Sequence, residues 1–227
     1  MHPYVIPLKA LFEKHADPTQ AAPMKKYMRD QFDYLGIKSP QFKVLFKQFL
    51  SEHGLPPVTD LDQIVRELWP LPQREFQYLG VSLIGRLDNQ LLPKSTQIIE
   101  YAITHKSWWD TVDSIAGGTV GTHFRRFPDM REKYLAKWRA SDNFWLRRTT
   151  ILFQLGYKNE TDFELLCDII RENLDSKEFF INKAIGWALR QYAWTNPNAV
   201  RKFVKATRLH PLSRREAMKH IGFIIES

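Results

Sequence analysis

The stretch KSWWDTVDSIAGG, residues 106–118, sets two adjacent tryptophans, Trp108 and Trp109, just ahead of two aspartates, Asp110 and Asp113. Successive residues on a helix sit about 100° apart, so the two indoles cannot share a face. On a helix opening near Ser107, Trp108, Val112 and Ile115 fall at i, i+4 and i+7 and predict a buried stripe. Trp109 and Asp113 then form a second i, i+4 pair on the neighbouring face. An aromatic wall and a carboxylate project side by side at the edge of the core. Spacing alone leaves two uses open: a reactive site, or a helix–helix contact in which Asp113 caps a neighbour or pairs with an arginine.

Other chemistries lack the residues to run on. The seven histidines contain no HExxH and no closely spaced ligand pair, and a single cysteine, Cys167, builds neither a zinc knuckle nor an internal disulfide. That cysteine lies in the apolar run FELLCDII and reads as a small buried hydrophobe. No P-loop, GxGxxG or GxSxG elbow occurs. Neither a metal nor a cofactor is expected, and any catalysis must come from carboxylates, arginines and aromatics.

Two more segments supply such groups. SDNFWLRRTTILFQLGY (141–157) sets Arg147 and Arg148 beside Trp145. Trp145, Thr149 and Leu152 make its inward stripe, which puts Arg148 on the flank, either solvated or acting as a bidentate ligand for phosphate or carboxylate. EFFINKAIGWALRQYAW (178–194) predicts a buried face of Phe180, Ala184, Ala188, Leu189 and Tyr192, with Trp187 and Arg190 off that stripe beside Lys183. Gly186 inside a helix costs about 1 kcal/mol relative to Ala. Something must therefore approach the backbone there, either the next repeat or a ligand.

Basic groups gather elsewhere too. A proline-initiated helix in KHADPTQAAPMKKYMRDQF (14–32) bears Lys25, Lys26, Tyr27 and Arg29, and RLHPLSRREAMKHI (208–221) bears Arg208, Arg214, Arg215 and Lys219. Such clusters grip phosphates or are merely solvated faces. Lys106 and Lys183 can be drawn as Schiff-base amines, but nothing in the sequence activates them, which disfavours a lyase.

What must position these groups is a set of helices. IVRELW (64–69), REFQYLGVSLIGRL (74–87), QIIEYAITH (97–105) and WLRRTTILFQLGY (145–157) carry apolar residues three and four apart, and no long strand pattern occurs. Breaks fall at WPLPQ (69–73), ASDN (140–143), LDSKE (174–178) and HPLSR (210–214), where Ser, Asp or Asn can accept hydrogen bonds from the first N–H groups of the next helix. Second helices open near Phe76, Trp109, Trp145, Phe180 and Arg215, at a period of roughly 33 to 36 residues, the mark of an α-solenoid of HEAT or armadillo type. An irregular helical bundle is the alternative. The expectation is an all-α superhelix of HEAT-like helix pairs with a basic concave face, one domain over residues 1–227. Pro23, Pro40 and the Pro56–Pro57 pair make about the first 60 residues a less regular N-terminal cap.

Composition narrows the partner. The 227 residues are 44% hydrophobic and 13% aromatic, enough for a sizeable core. Lys plus Arg number 33 against 25 acidic residues, a formal charge of +8 that favours a polyanion. No run of about 18 apolar residues marks a membrane span, and the N-terminus lacks a signal-peptide pattern, so a cytoplasmic protein is expected.

KSWWDTVDSI, SDNFWLRRTTILFQLGYK and KEFFINKAIGWALRQYA resemble the AlkD family of bacterial DNA glycosylases, which are built from HEAT-like repeats. PMKKYMRDQFDYLGI, IVRELWPLPQREFQ and PLSRREAMKHI resemble the same family in order, so the likeness spans nearly the whole chain. The resemblance implies an enzyme that removes cationic alkylated purines, 3-methyladenine and 7-methylguanine, from duplex DNA. It implies Asp113 as the catalytic carboxylate and Trp109 and Trp187 as walls around the lesion's deoxyribose. Arg148 and Tyr27 would contact DNA, and Arg190, Lys183, Arg214 and Arg215 are the further candidates for phosphate contact. A monomer acting on double-stranded DNA is expected. Trp194 stands where the resemblance implies a basic residue, and the resemblance also implies a longer tail beyond Ile225. The runner-up is a non-catalytic HEAT-repeat DNA-binding scaffold, and a third class is a protein-interaction solenoid.

Overall fold

The computed structural model of the protein describes residues 1–219 and 221. Among these residues the regular elements are all helical, and β-structure is limited to one isolated bridge between Asp33 and Gln73. The expected all-α class is what forms. The helices gather into two compact units, Met1–Lys106 and Ser107–Ser227.

The first unit holds α1 (Val5–Lys14), α2 (Pro18–Tyr27), α3 (Ser39–His53), α4 (Leu61–Leu68), α5 (Arg74–Arg86) and α6 (Thr96–Thr104). Its prolines explain the irregular reading without removing the helices. Pro18 opens α2 behind an Asp17 cap whose carboxylate accepts from the Thr19 N–H at 2.9 Å, as a proline-initiated helix requires. Pro40 lies in the first turn of α3, and Pro56–Pro57 occupy the connection to α4. In α4, Leu61, Ile64, Val65 and Leu68 are buried at i, i+3, i+4 and i+7, while Arg66 and Asp62 pair at 2.8 Å on the outer side. Between α4 and α5 the chain turns at Trp69, whose indole lies against Gly80. A Cβ at Gly80 would come within 3.1 Å of that ring.

Glu75, in the first turn of α5, is fully buried and accepts from the backbone N–H groups of Leu35, Gly36 and Ile37 at 2.9–3.1 Å. Burial raises its carboxyl above the ordinary range, against the pull of those backbone donors.

The second unit holds α7 (Trp109–Ser114), α8 (Gly121–Arg126), α9 (Pro128–Arg139), α10 (Phe144–Leu152), α11 (Phe163–Arg171), α12 (Phe179–Ala193), α13 (Pro197–Ala206) and α14 (Pro211–Met218). Helices open at Arg74, Trp109, Phe144, Phe179 and Pro211, close to the residues the spacing predicted. This is the register of a helical-repeat protein.

Of the four breaks only ASDN supplies the expected cap: Gln73 before α5 and Glu178 before α12 make no side-chain capping bond, and Asp162 and Asn196 cap α11 and α13 from outside the breaks. Asn143 accepts from the Trp145 N–H at 2.9 Å, Asp162 from Leu165 at 3.0 Å and Asn196 from Ala199 at 3.0 Å. At HPLSR the cap is His210, which accepts from Leu212 at 3.1 Å, and Ser213 is buried inside the helix instead. Val112, Ile115, Phe124, Trp138, Leu152, Ile170, Ile181 and Leu189 form the core of this unit, all within 1% of full burial. Each aliphatic among them contributes about 1.5–3 kcal/mol by leaving water.

Two departures matter for the site. Residues Ile115–Val120 between α7 and α8 form a π-helix, so 109–126 is one continuous helical run with a wide turn in its middle. Such turns are rare and recur next to functional residues. The other departure is the end of α10, which stops at Leu152 and not near Tyr157. There the Phe153 carbonyl lies where a Cβ on Gly121 would be, at 2.6 Å, and Tyr157 donates its hydroxyl to the Gly121 carbonyl at 2.7 Å. That approach joins the end of α10 to the start of α8. Among the described residues no helix is long and apolar enough to cross a membrane.

Candidate active site

Three helices of the second unit, α7, α10 and α12, carry the site candidates. Trp108 is the residue before α7 and is extended, with φ −157° and ψ 161°. Its carbonyl accepts from the Val112 N–H at 3.1 Å, so the helix proper starts at Trp109. The expected stripe of Trp108, Val112 and Ile115 therefore loses its first member: Val112 and Ile115 are fully buried, and Trp108 is half-buried in a different environment. Its ring lies 6.1 Å from Trp145 and 5.2 Å from Phe180, in an aromatic cluster formed where α10 and α12 begin. Trp109, in the first turn of α7, is also half-buried. The helix starts between the two, so Trp109 belongs to α7 and Trp108 is the extended residue before it.

Asp113 lies one turn beyond Trp109. Its two oxygens accept from Arg148 of α10, Oδ1 from Nε at 2.7 Å and Oδ2 from Nη2 at 2.8 Å. Arg148 also donates through Nη1 to the Phe180 carbonyl at the start of α12. The arginine is 2% exposed, so the expectation of a solvated flank residue is corrected. Thr149 and Trp145 are buried on the same helix as predicted, but burial extends around α10 to include Leu146, Arg148 and Thr150. Of the uses open for Arg148, the structure displays the bidentate carboxylate ligand, and of those open for Asp113 it displays the arginine partner. The fork fixes the plane of the carboxylate, whose side chain keeps 16% of its surface open.

The third helix, α12, carries Lys183, Trp187 and Arg190 at i, i+4 and i+7, hence on one stripe. Trp187 is half-buried. The buried face differs from the prediction: Ile181, Asn182 and Ile185 join Ala184, Ala188 and Leu189, while Phe180 and Tyr192 are only half-buried.

Both cations of the stripe turn to one carboxylate of α14. Lys183 Nζ lies 2.9 Å from Glu216 Oε1, and Arg190 Nη1 donates to Glu216 Oε2. Glu216 is 9% exposed, and the hydrogen bonds from Lys183 and then Arg190 hold its carboxyl below the ordinary range despite burial. Gly186 is explained by the same helix. A Cβ there would lie 2.5 Å from Glu216 Cβ and 2.9 Å from the Ser213 carbonyl, so what approaches the backbone is the neighbouring repeat and no ligand is needed. Ser213 seals that contact by donating to the Asn182 carbonyl at 2.8 Å. Sequence reasoning missed Glu216, which sits between the basic residues of PLSRREAMKHI. The signal available was the interior glycine facing it.

The remaining candidates stand apart. Arg214 and Arg215 are exposed on α14, and Arg214 donates to the Val204 carbonyl at 2.8 Å. Tyr27 belongs to the first unit, where it ends α2 at 74% exposure. Trp194 is exposed at the end of α12, and Ile225 lies outside the described residues. Lys106 has its amine lowered by burial and then by Arg74, yet it serves the backbone, donating to the carbonyls of Pro70 at 3.1 Å and Leu71 at 2.5 Å. Cys167 is buried, and burial pushes its thiol up to about 12.

A cavity of 310 Å³ lined by Gln154, Leu166, Ala188, Tyr192 and Trp194 includes neither Asp113 nor Trp109 nor Trp187. Among the described residues no group of three His, Cys, Asp or Glu side chains could hold a metal ion.

Helix pairs at a constant register, with an oriented carboxylate at the start of one of them, define a helical-repeat protein with an acidic site. The DNA alkylation repair enzyme family matches residues 8–221, and the chain belongs to that family. A solved structure described as a predicted DNA alkylation repair enzyme from Enterococcus faecalis is 34% identical, with 90% of this chain and 96% of that chain covered and a TM-score of 0.83. No match was found among curated protein sequences.

Proposed function

We propose that the protein is a monofunctional DNA glycosylase, a cytoplasmic monomer without cofactor that hydrolyses the N-glycosidic bond of N3- and N7-alkylated purines in double-stranded DNA. The observation that carries the reading is the Asp113 carboxylate, gripped on both oxygens by a buried arginine and still 16% open. A base alkylated at N3 or N7 already bears positive charge and leaves with the bonding electron pair as a neutral purine. The charge that develops is then on the deoxyribose, as an oxocarbenium ion. An ionic carboxylate nearby stabilises that charge and orients the water that adds to C1′ and gives up a proton, the electrostatics of glycoside hydrolysis.

Trp109 and Trp187 would flank the sugar and add cation–π attraction, each about 1–2 kcal/mol when desolvated. Because its N–H groups are engaged by Asp113 and the Phe180 carbonyl, Arg148 acts in this scheme by holding the carboxylate. Lys183, Arg190, Arg214, Arg215 and Tyr27 are the candidates for the DNA backbone.

A non-catalytic DNA-binding scaffold is the competing reading, in which the Asp113–Arg148 pair would serve only to join α7 to α10. Methylated duplex DNA incubated with the protein, with released bases read by chromatography, separates the two. Asp113→Asn is expected to bind duplex as the parent does and to release 7-methylguanine at least about 100-fold more slowly, the scale of losing one preorganised electrostatic group. Trp109→Ala and Trp187→Ala are expected to lower cleavage more than affinity. Undiminished release by Asp113→Asn would sink the mechanism.

A further inference from the structure

The stripe on α12 has a partner that none of the glycosylase chemistry requires. Lys183 and Arg190 lie two helical turns apart, about 10 Å along the axis, with Gly186 and Trp187 between them. Gly186 has no side chain, and that absence admits Glu216 Cβ to within 2.5 Å of where a Cβ would be. The Glu216 carboxylate consequently sits between the two cations and engages both, one oxygen each. The side chains are 39% and 22% exposed for Lys183 and Arg190, and 11% for Glu216. The cations thus reach solvent while their counter-ion lies beneath them. Lysine has three donors and arginine five, so each keeps donors for another anion.

We propose that Glu216 is an electrostatic brake on duplex binding: a built-in counter-ion that halves the charge Lys183 and Arg190 present to phosphates beside Trp187. The inference rests on the reading of this face as the DNA-facing one. Two cations and one anion leave a net charge of +1. The pair keeps its geometry, because the carboxylate holds both side chains at the level of Trp187, while its grip on undamaged backbone is limited. A repair enzyme that must leave ordinary duplex gains from such a limit, since phosphate contacts carry no information about the base.

Adding one effective cation makes the slope of log K against log salt steeper by about 0.9 and tightens binding roughly eightfold near 0.1 M salt. Glu216→Gln, which preserves shape and removes the charge, is therefore expected to bind an undamaged 20–30 base-pair duplex roughly fivefold to tenfold more tightly near 0.1 M salt, with that steeper slope. Glu216→Asp, which keeps the charge, is expected to keep the wild-type slope even if packing changes its melting temperature. Lys183 is the more exposed cation, and Lys183→Met supplies a variant that does not depend on the buried carboxylate. It is expected to flatten the slope by about 0.9.

Fluorescence anisotropy across a salt series measures all four proteins. Unchanged or weaker binding by Glu216→Gln, or an unchanged slope in Lys183→Met, overturns the proposal. The assay uses undamaged DNA and no base release, so it fails separately from the glycosylase reading. A brake found in a protein that releases no base would sink only the enzyme assignment, and released bases with a flat Glu216→Gln response would sink only the brake.

Discussion

The pair Asp113–Arg148 makes a prediction whose size follows from its geometry. Removing the cation by Arg148→Met leaves a carboxylate that has lost two charge-assisted hydrogen bonds, of 2.7 and 2.8 Å, but remains 16% open to water. Partial rehydration softens the loss to about 2–3 kcal/mol. Asp113→Asn is harder on the fold, because the guanidinium side chain is only 3% exposed and an amide N–H₂ now faces one of its donors. That change costs about 3–4 kcal/mol. The double variant removes both charges at once, and its cost is expected near 3 kcal/mol, which leaves a coupling of about 2–4 kcal/mol between the two positions. In a chain of this length each kcal/mol moves the midpoint by about 2–4 °C, so thermal or urea unfolding of the four proteins resolves the cycle. Costs that add to within about 0.5 kcal/mol would refute the claim that the two side chains form one unit. Arg148→Lys completes the set. It keeps the charge but cannot span both oxygens, so it is expected to lose base release by much more than its smaller loss of stability explains.

Other consequences are simpler to check. Gly186→Ala forces a methyl against Glu216 Cβ and the Ser213 carbonyl, at 2.5 and 2.9 Å, and is expected to cost about 1–3 kcal/mol in urea unfolding. Cys167, with its thiol at about 12 and its side chain buried, is expected to resist iodoacetamide at pH 8 in the native protein and to react fully in denaturant. Glu216 has a folded carboxyl below its unfolded value, so the stability it contributes is complete above the ordinary carboxylate range and is lost as pH falls through the folded value. Melting temperature against pH is accordingly expected to fall more steeply for the parent than for Glu216→Gln below about pH 4.5, the region where a glutamate takes up its proton.

Much of this protein is legible in its sequence because helices are local. The 3.6-residue period of α4 and α5, the Asn143 cap and the proline at the start of α2 each depend on residues within a turn or two. Openings at Trp109, Phe144 and Phe179 follow from the same local rules repeated, and so does the expectation of an all-helical repeat. Asp113, Trp109 and Trp187 could be singled out because an acid and two indoles stood off their apolar stripes.

What lies across helices was decided only by the tertiary structure. Arg148 reads as a surface arginine from its own helix, and it is buried because α7 and α12 bring Asp113 and the Phe180 carbonyl to its three nitrogens. Trp108 leaves its predicted stripe because the helix begins one residue later and α10 and α12 offer Trp145 and Phe180. Lys183 and Arg190 read as free cations until α14 sets Glu216 over Gly186. A charge is stabilised by whatever lies within a few ångströms in space, and here those partners are 26 to 35 residues away in the chain.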